Sequence, residues 1–207
     1  MDGRLGGFRM VRDGKYRIIL SSNSPRRKEL LAGLDLDFEV RLIEGIDESY
    51  PADTPVDEIP LVIAAKKAAA YQSGIAPNEI VITADTIVAV GEEVLGKPAD
   101  EAQAFAMLRK LSGRTHHVIT GVCLTMQSAQ RRFSVKTDVT FRSLTDEEIH
   151  YYIRNYRPYD KAGGYGIQEW IGYVGVTGIS GSYFNVVGLP VQRIFDELTR
   201  LTASLKG

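Results

Sequence analysis

RIILSSNSPRRKELLAGLDLDFEVRLI, residues 17–43, reads as strand, helix, strand. Residues 17–22 are a short apolar run ending in small polar side chains, the pattern of a buried strand. Ser24 is a good helix N-cap, and Pro25 suits the first helical position, where a backbone N–H would have no partner. Leu30, Leu31 and Leu34 form an apolar stripe, and Gly33 closes the helix. Residues 38–43 alternate in polarity and predict a second strand.

Outward from this unit, residues 44–55 read as a loop. Pro60 opens an Ala-rich helix to about Gln72, which Gly74 and Pro77 end. Residues 79–90, EIVITADTIVAV, predict a strand interrupted at residues 83–86. Gly91-Glu92 turns into a short strand ending at Leu95, Gly96-Lys97-Pro98 is a loop, and residues 100–111 are helical. Residues 117–126 and 132–142 are two β-rich runs forming a hairpin. Thr145 and Glu148 make a capping box for a helix over residues 146–155. Residues 173–179 and 183–187 predict two more strands, and Leu189-Pro190 starts a final helix to about Leu201. Strands alternating with helices early, and a hairpin later, predict an α/β fold on a mixed, partly antiparallel sheet. Residues 17–207 are expected to form a single domain, with residues 1–16 a flexible arm to which no role is given.

The chain has 207 residues, enough for a real core without disulfides or a structural metal. Twenty-five Lys and Arg against 26 Asp and Glu leave a formal net charge of −1. That balance argues against a nucleic-acid polymer as partner. A compact anion would have to be held by charge gathered locally. One Cys excludes an internal disulfide and a Cys-rich zinc site, and it fits a reducing compartment, the cytoplasm. No run is long enough for a membrane span. Phosphate-loop, dinucleotide-loop and GxSxG signatures are missing, so P-loop ATPase, dinucleotide oxidoreductase and serine hydrolase readings lose support.

Several residues invite chemistry. In SSNSPRR, residues 21–27, a strand ends and a helix begins, and a helix N-terminus is a natural anion site. Arg26 and Arg27 oppose the helix dipole there, and a bound anion would compensate them. Asp85 lies inside an otherwise apolar strand, where a carboxylate is costly unless paired, metal-bound or opened to a cleft. Lys97 follows the short hairpin, and Lys161 opens KAGGYGIQ, whose glycines permit close approach of backbone to ligand. Lys66 and Lys67 point about a hundred degrees apart on their helix, so at most one should face a cleft. Asp47 and Glu48 lie in a loop that could supply a second metal-binding carboxylate.

SNSPRRKELL, ADTIV, LGKP, MLRKLSGRTHHVIT, DVTFR, DKAGGYGIQ and VVGLP follow one another in an order and spacing that resemble the Maf family of nucleoside triphosphate pyrophosphatases. The likeness runs from about Arg17 to Leu201. It implies an elongated mixed sheet, two lobes around a deep cleft, and kinship with the inosine-triphosphate pyrophosphatases. It also implies hydrolysis of nucleoside triphosphates to monophosphate and diphosphate with a divalent cation. On this resemblance Ser22, Ser24, Arg26 and Arg27 match the phosphate site. Glu48 matches a loop glutamate, Lys67 a helix lysine, Asp85 the proton acceptor, and Lys97 and Lys161 lysines lining the cleft. Arg26, Thr86 and Gln168 match the positions defining the subgroup that acts on dTTP and UTP. Two departures stand out: Gly164 in place of the usual Ala, and Glu169-Trp170 after Gln168 in place of the usual Gly.

Charge logic agrees. A metal-bound triphosphate near −2 would be balanced by Arg26, Arg27, Lys67, Lys97 and Lys161 against Glu48 and Asp85. Mg²⁺ or Mn²⁺ would sit between carboxylates and phosphate oxygens, with Asp85 and Glu48 as its ligands. Asp85 would orient or deprotonate a water for attack at the α-phosphorus. Gln168 offers both donor and acceptor to the imide edge of uracil or thymine. The expected partner is therefore a nucleoside triphosphate, with no nucleic acid and no membrane, and with a homodimer compatible with the family. The competing function is a non-enzymatic regulator of septum formation and cell division that acts by binding a partner.

Overall fold

A computed structural model describes residue 11 and residues 13–203. Most of the arm assigned to residues 1–16 therefore lies outside the described residues. Contacts divide the chain into two compact units. The first comprises residues 1–85, 120–134 and 188–207; the second comprises 86–119 and 135–187.

The elements in chain order are β1 (Arg17–Ser21), α1 (Pro25–Ala32), β2 (Phe38–Val40), α2 (Ile59–Tyr71), β3 (Glu79–Val90), β4 (Glu93–Leu95) and α3 (Glu101–Leu111). They continue with β5 (Thr115–Thr125), β6 (Gln130–Phe141), α4 (Asp146–Tyr156), α5 (Trp170–Gly175), β7 (Val176–Ser180), α6 (Tyr183–Val187) and α7 (Val191–Ala203). The sheet has seven strands in the order β2-β1-β3-β5-β6-β7, with β4 paired to β3. It is mixed, as expected. β1 runs parallel to β2 and β3, while β4 is antiparallel to β3 and β7 antiparallel to β6.

In the first unit, β1 and β3 are apolar because helices cover them. Ile18, Ile19, Leu20, Ile80, Val81 and Ile82 are essentially without exposure. The Ala-rich composition of α2 has a steric cause. A side chain at Gly121 of β5 would come within 2.3 Å of the Leu61 nitrogen, so the helix backbone rests directly on the strand. Ala64 and Ala68 pack there beside Cys123. Buried Thr83 donates to the Ala64 carbonyl at 2.8 Å, tying β3 to the middle of α2. At the start of β3, buried Glu79 accepts two bonds from Arg41, at 3.0 and 2.8 Å, and one from the Ala76 nitrogen at 3.1 Å. These bonds hold its pKa below the ordinary carboxylate value.

The second unit has its own core of α3, α4 and strand side chains, including Leu108, Leu111, Phe141, Ile149, Tyr152 and Ile153. The capping box forms: the Thr145 hydroxyl accepts from the Glu148 nitrogen, and the Glu148 carboxylate accepts from the Thr145 nitrogen. His116 is fully buried, with its Nε2 2.6 Å from the Tyr165 hydroxyl. Desolvation, and then the neighbouring His117, push its pKa down to about 4, so it is neutral.

Four expectations are corrected. β3 is continuous over twelve residues, with no break at residues 83–86. The second strand stops at Val40 and does not reach residue 43. Residues 183–187, read as a strand, form helix α6. The cause is tertiary: the Asn185 amide donates to the Val118 and Val135 carbonyls and to the Thr137 hydroxyl, at 3.0–3.1 Å. A buried amide anchored three times outweighs the strand preference of YFNVV. Residues 173–179 divide between α5 and β7, and within α5 a side chain at Gly172 would meet the Ile167 carbonyl oxygen at 1.7 Å.

Candidate active site

In the first unit, β1 ends at Ser21 and delivers the chain into the SxSPRR turn. Ser24 caps α1 by accepting from the Arg27 nitrogen at 3.4 Å, and the Ser24 nitrogen donates to the Ser22 hydroxyl at 3.2 Å. Both hydroxyls accept in these bonds, which leaves each an O–H to donate. The first turn of α1 holds no acidic residue.

Arg27 is a fixed group. Its Nε donates to the Gly188 carbonyl and its Nη1 to the Ala84 carbonyl, both at 2.9 Å. Burial lowers its pKa, while Asp85 and Glu48 pull the other way. Guanidinium protons are not lost in proteins, so Arg27 brings a constant positive charge beside Asp85.

The Asp85 side chain is 16% exposed, half-way along β3. Lys67 Nζ lies 2.9 Å from Asp85 Oδ1 and 3.1 Å from Glu48 Oε1. Both Lys66 and Lys67 reach the 47–49 loop. Lys66 Nζ bonds Asp47 Oδ2 at 3.0 Å and the Ser49 carbonyl at 2.6 Å. Asp47 also accepts from the Ser49 nitrogen and hydroxyl at 2.9 and 2.7 Å. The Ser49 hydroxyl and amide, followed by Lys66, hold the Asp47 pKa down to about 2. This clasp fixes the residue on either side of Glu48, and Lys67 then takes Glu48 itself.

In the second unit, Thr86 follows Asp85 on β3 and, by strand alternation, projects to the opposite face. Lys97 is exposed beyond β4. Lys161 is buried, with its Nζ 2.8 Å from Asp160 Oδ1 and 3.1 Å from Glu169 Oε1. Gly163 must be glycine: its φ is +70°, and a side chain would meet Val88 at 2.9 Å. The Gln168 Oε1 is buried without a hydrogen-bond partner among the described residues. An orphan acceptor of this kind is expensive unless a water or a ligand donor meets it.

Thus the structure brings Glu48, Lys67, Asp85 and Arg27 together in the first unit. In the second it surrounds Lys161 with Asp160 and Glu169. Sequence reasoning missed Tyr152, whose hydroxyl donates to Glu169, and gave Asp160 no part. Tyr152 reads in sequence as a core aromatic, which it also is. Among the described residues no three His, Cys, Asp or Glu gather as a metal cluster, and no helix is long and apolar enough to cross a membrane.

Residues 17–201 match the profile described as Maf-like protein. A protein of Phocaeicola vulgatus named dTTP/UTP pyrophosphatase is 63% identical over 187 residues, covering 90% of this chain and 97% of that one. One of the same name from Parabacteroides distasonis is 58% identical over 184 residues, covering 89% and 95%. A solved HAM1 protein of Coxiella burnetii aligns over 92% of this chain and 98% of its own, at 12% identity and a TM-score of 0.45. The extent of the profile match, together with relatives well above half identical over nine-tenths of the chain, makes this chain a member of the Maf-like family.

Proposed function

We propose that this protein hydrolyses nucleoside triphosphates, with dTTP and UTP as substrates, to the nucleoside monophosphate and diphosphate. The observation that carries the proposal is the pair of carboxylates, Glu48 and Asp85, drawn onto a single lysine in a chain of the Maf-like family. The names of its close relatives support the choice of nucleotide.

The two carboxylates converge on one cationic point, Lys67 Nζ, and hard oxygen donors of this kind suit Mg²⁺ or Mn²⁺. Glu48 and Asp85 are the residues to hold such an ion. When bound, it would neutralise phosphate charge and make a water easier to deprotonate.

The remaining chemistry falls to the chain. Asp85 orients the attacking water and takes its proton. The water oxygen forms a bond to the α-phosphorus as the bond to the bridging oxygen breaks, and diphosphate leaves with the electron pair. Such transfer needs mostly positioning and charge stabilisation. Ser22, Ser24, Arg26, Arg27, Lys67, Lys97 and Lys161 are assigned to phosphate oxygens. The buried Gln168 carbonyl accepts the imide N–H of uracil or thymine, while Arg26 and Thr86 tune the same preference.

The nucleotide substrate and the single buried thiol of Cys123, its pKa pushed up to about 11 by burial, fit a reducing cytoplasm. A partner-binding regulator is not favoured, because it gives no reason to hold two carboxylates on one lysine. The test is product identification across a nucleotide panel, with and without EDTA. Metal-dependent release of diphosphate from UTP and dTTP is expected; release of orthophosphate alone would overturn the proposal.

A further inference from the structure

We infer that Glu169 is a positioning residue for Lys161, and that Tyr152 holds it in that role. The inference rests on the functional reading above, in which Lys161 meets the triphosphate.

The geometry forms one continuous relay. The Gly166 backbone N–H donates to the Tyr152 hydroxyl at 2.9 Å. That hydroxyl donates to Glu169 Oε2. The other oxygen of Glu169 faces Lys161 Nζ at 3.1 Å. Tyr152 is fully buried on α4, so the far end of the relay is anchored in the core of the second unit. Burial, followed by the Glu169 carboxylate, pushes the Tyr152 pKa up, and the hydroxyl remains a donor at any working pH.

Two further details show that the pair shapes its surroundings. Gly166 has no positive φ, so backbone freedom does not explain it. A side chain there would come within 2.9 Å of Glu169 Cδ and 3.1 Å of Lys161 Cε. The glycine leaves room for the lysine and glutamate to meet across it. The Lys161 ammonium has three donors: one goes to Asp160 at 2.8 Å while Glu169 pairs with its charge at 3.1 Å, which leaves donor capacity for a phosphate oxygen. A lysine on a flexible stem otherwise loses much rotamer freedom on binding, and a partner that fixes it beforehand removes that cost.

The experiment measures kcat and KM for UTP on the full chain for Lys161→Met, Glu169→Gln and the double variant. KM is expected to rise about tenfold for Lys161→Met and severalfold for Glu169→Gln, with kcat less affected, the pattern of lost preorganised binding. In the Lys161→Met background, Glu169→Gln is expected to add nothing, because the two act as one unit. Unchanged kinetics for Lys161→Met would overturn the functional reading of that lysine. A normal Glu169→Gln beside an impaired Lys161→Met would overturn the positioning role alone, as would a Glu169→Gln effect that persists undiminished without Lys161. Should Glu169→Gln fail to fold, Tyr152→Phe, which keeps the core aromatic, takes its place with the same expected rise in KM and the same overturning results.

Discussion

Two lysines in this protein each stand between two carboxylates, at almost the same distances. Lys67 lies 2.9 and 3.1 Å from Asp85 and Glu48; Lys161 lies 2.8 and 3.1 Å from Asp160 and Glu169. In both, one carboxylate is more than half exposed and the other mostly covered: Glu48 57% and Asp85 16%, Asp160 58% and Glu169 19%. The difference lies in what holds the covered carboxylate. Asp85 is placed by the backbone of β3 and paired with Lys67. Glu169 is tied to a core tyrosine. On the proposed function, the first arrangement would supply a carboxylate for chemistry and the second a lysine for phosphate.

Metal dependence separates the two most sharply. Chelation with EDTA is expected to abolish turnover. Glu48→Gln should raise the metal concentration for half-maximal rate, while Glu169→Gln leaves that concentration unchanged and moves only the nucleotide KM. A metal requirement that shifts with Glu169 would erase the distinction. Next in size, Asp85→Asn is expected to lower kcat by about 10²–10⁴-fold, the range for a lost general base. Steady-state kinetics on a folded variant checks it.

Acid should divide the units as well. His116 in the second unit titrates at about 4 when folded, against 6.5 unfolded. The unfolded chain therefore binds the extra proton between these values. Stability is full above about pH 6.5 and falls by about 3 kcal/mol as pH drops to 4. Glu79 in the first unit has a lowered pKa, and its contribution, present above the unfolded value of 4.5, is lost only as pH falls through the lower folded value. Amide exchange in the second unit should thus accelerate first on acidification. Gly166→Ala should cost about 1–3 kcal/mol by overpacking the Lys161–Glu169 pair, read as a lower Tm. Smallest, Lys66→Met releases the 47–49 clasp and should weaken metal affinity about tenfold, the low end for a supporting residue, with Tm little changed.

Much of this arrangement was legible in the sequence, and for physical reasons. Asp85 betrayed itself as a carboxylate in an apolar strand, and the Ser24-Pro25 cap announced the turn that carries Arg26 and Arg27. The mixed sheet followed from alternating elements and a hairpin. What stayed hidden depends on tertiary contacts. The helix at residues 183–187 forms because Asn185 is anchored by distant backbone, and β3 runs unbroken because β1, β5 and β4 pair along it. The reason for Gly166 cannot be read from KAGGYGIQ, since the atoms that require it belong to the ends of two other side chains. The roles of Lys97, Thr86 and Gln168 rest on family likeness, to which the structure adds one physical sign, the unpaired Gln168 oxygen.

The most direct measurement is hydrolysis of UTP in ¹⁸O-water with both products analysed. Attack at the α-phosphorus predicts diphosphate as the sole inorganic product and label in UMP, both lost with Asp85→Asn. Label in an inorganic product, or full turnover by Asp85→Asn, would contradict it.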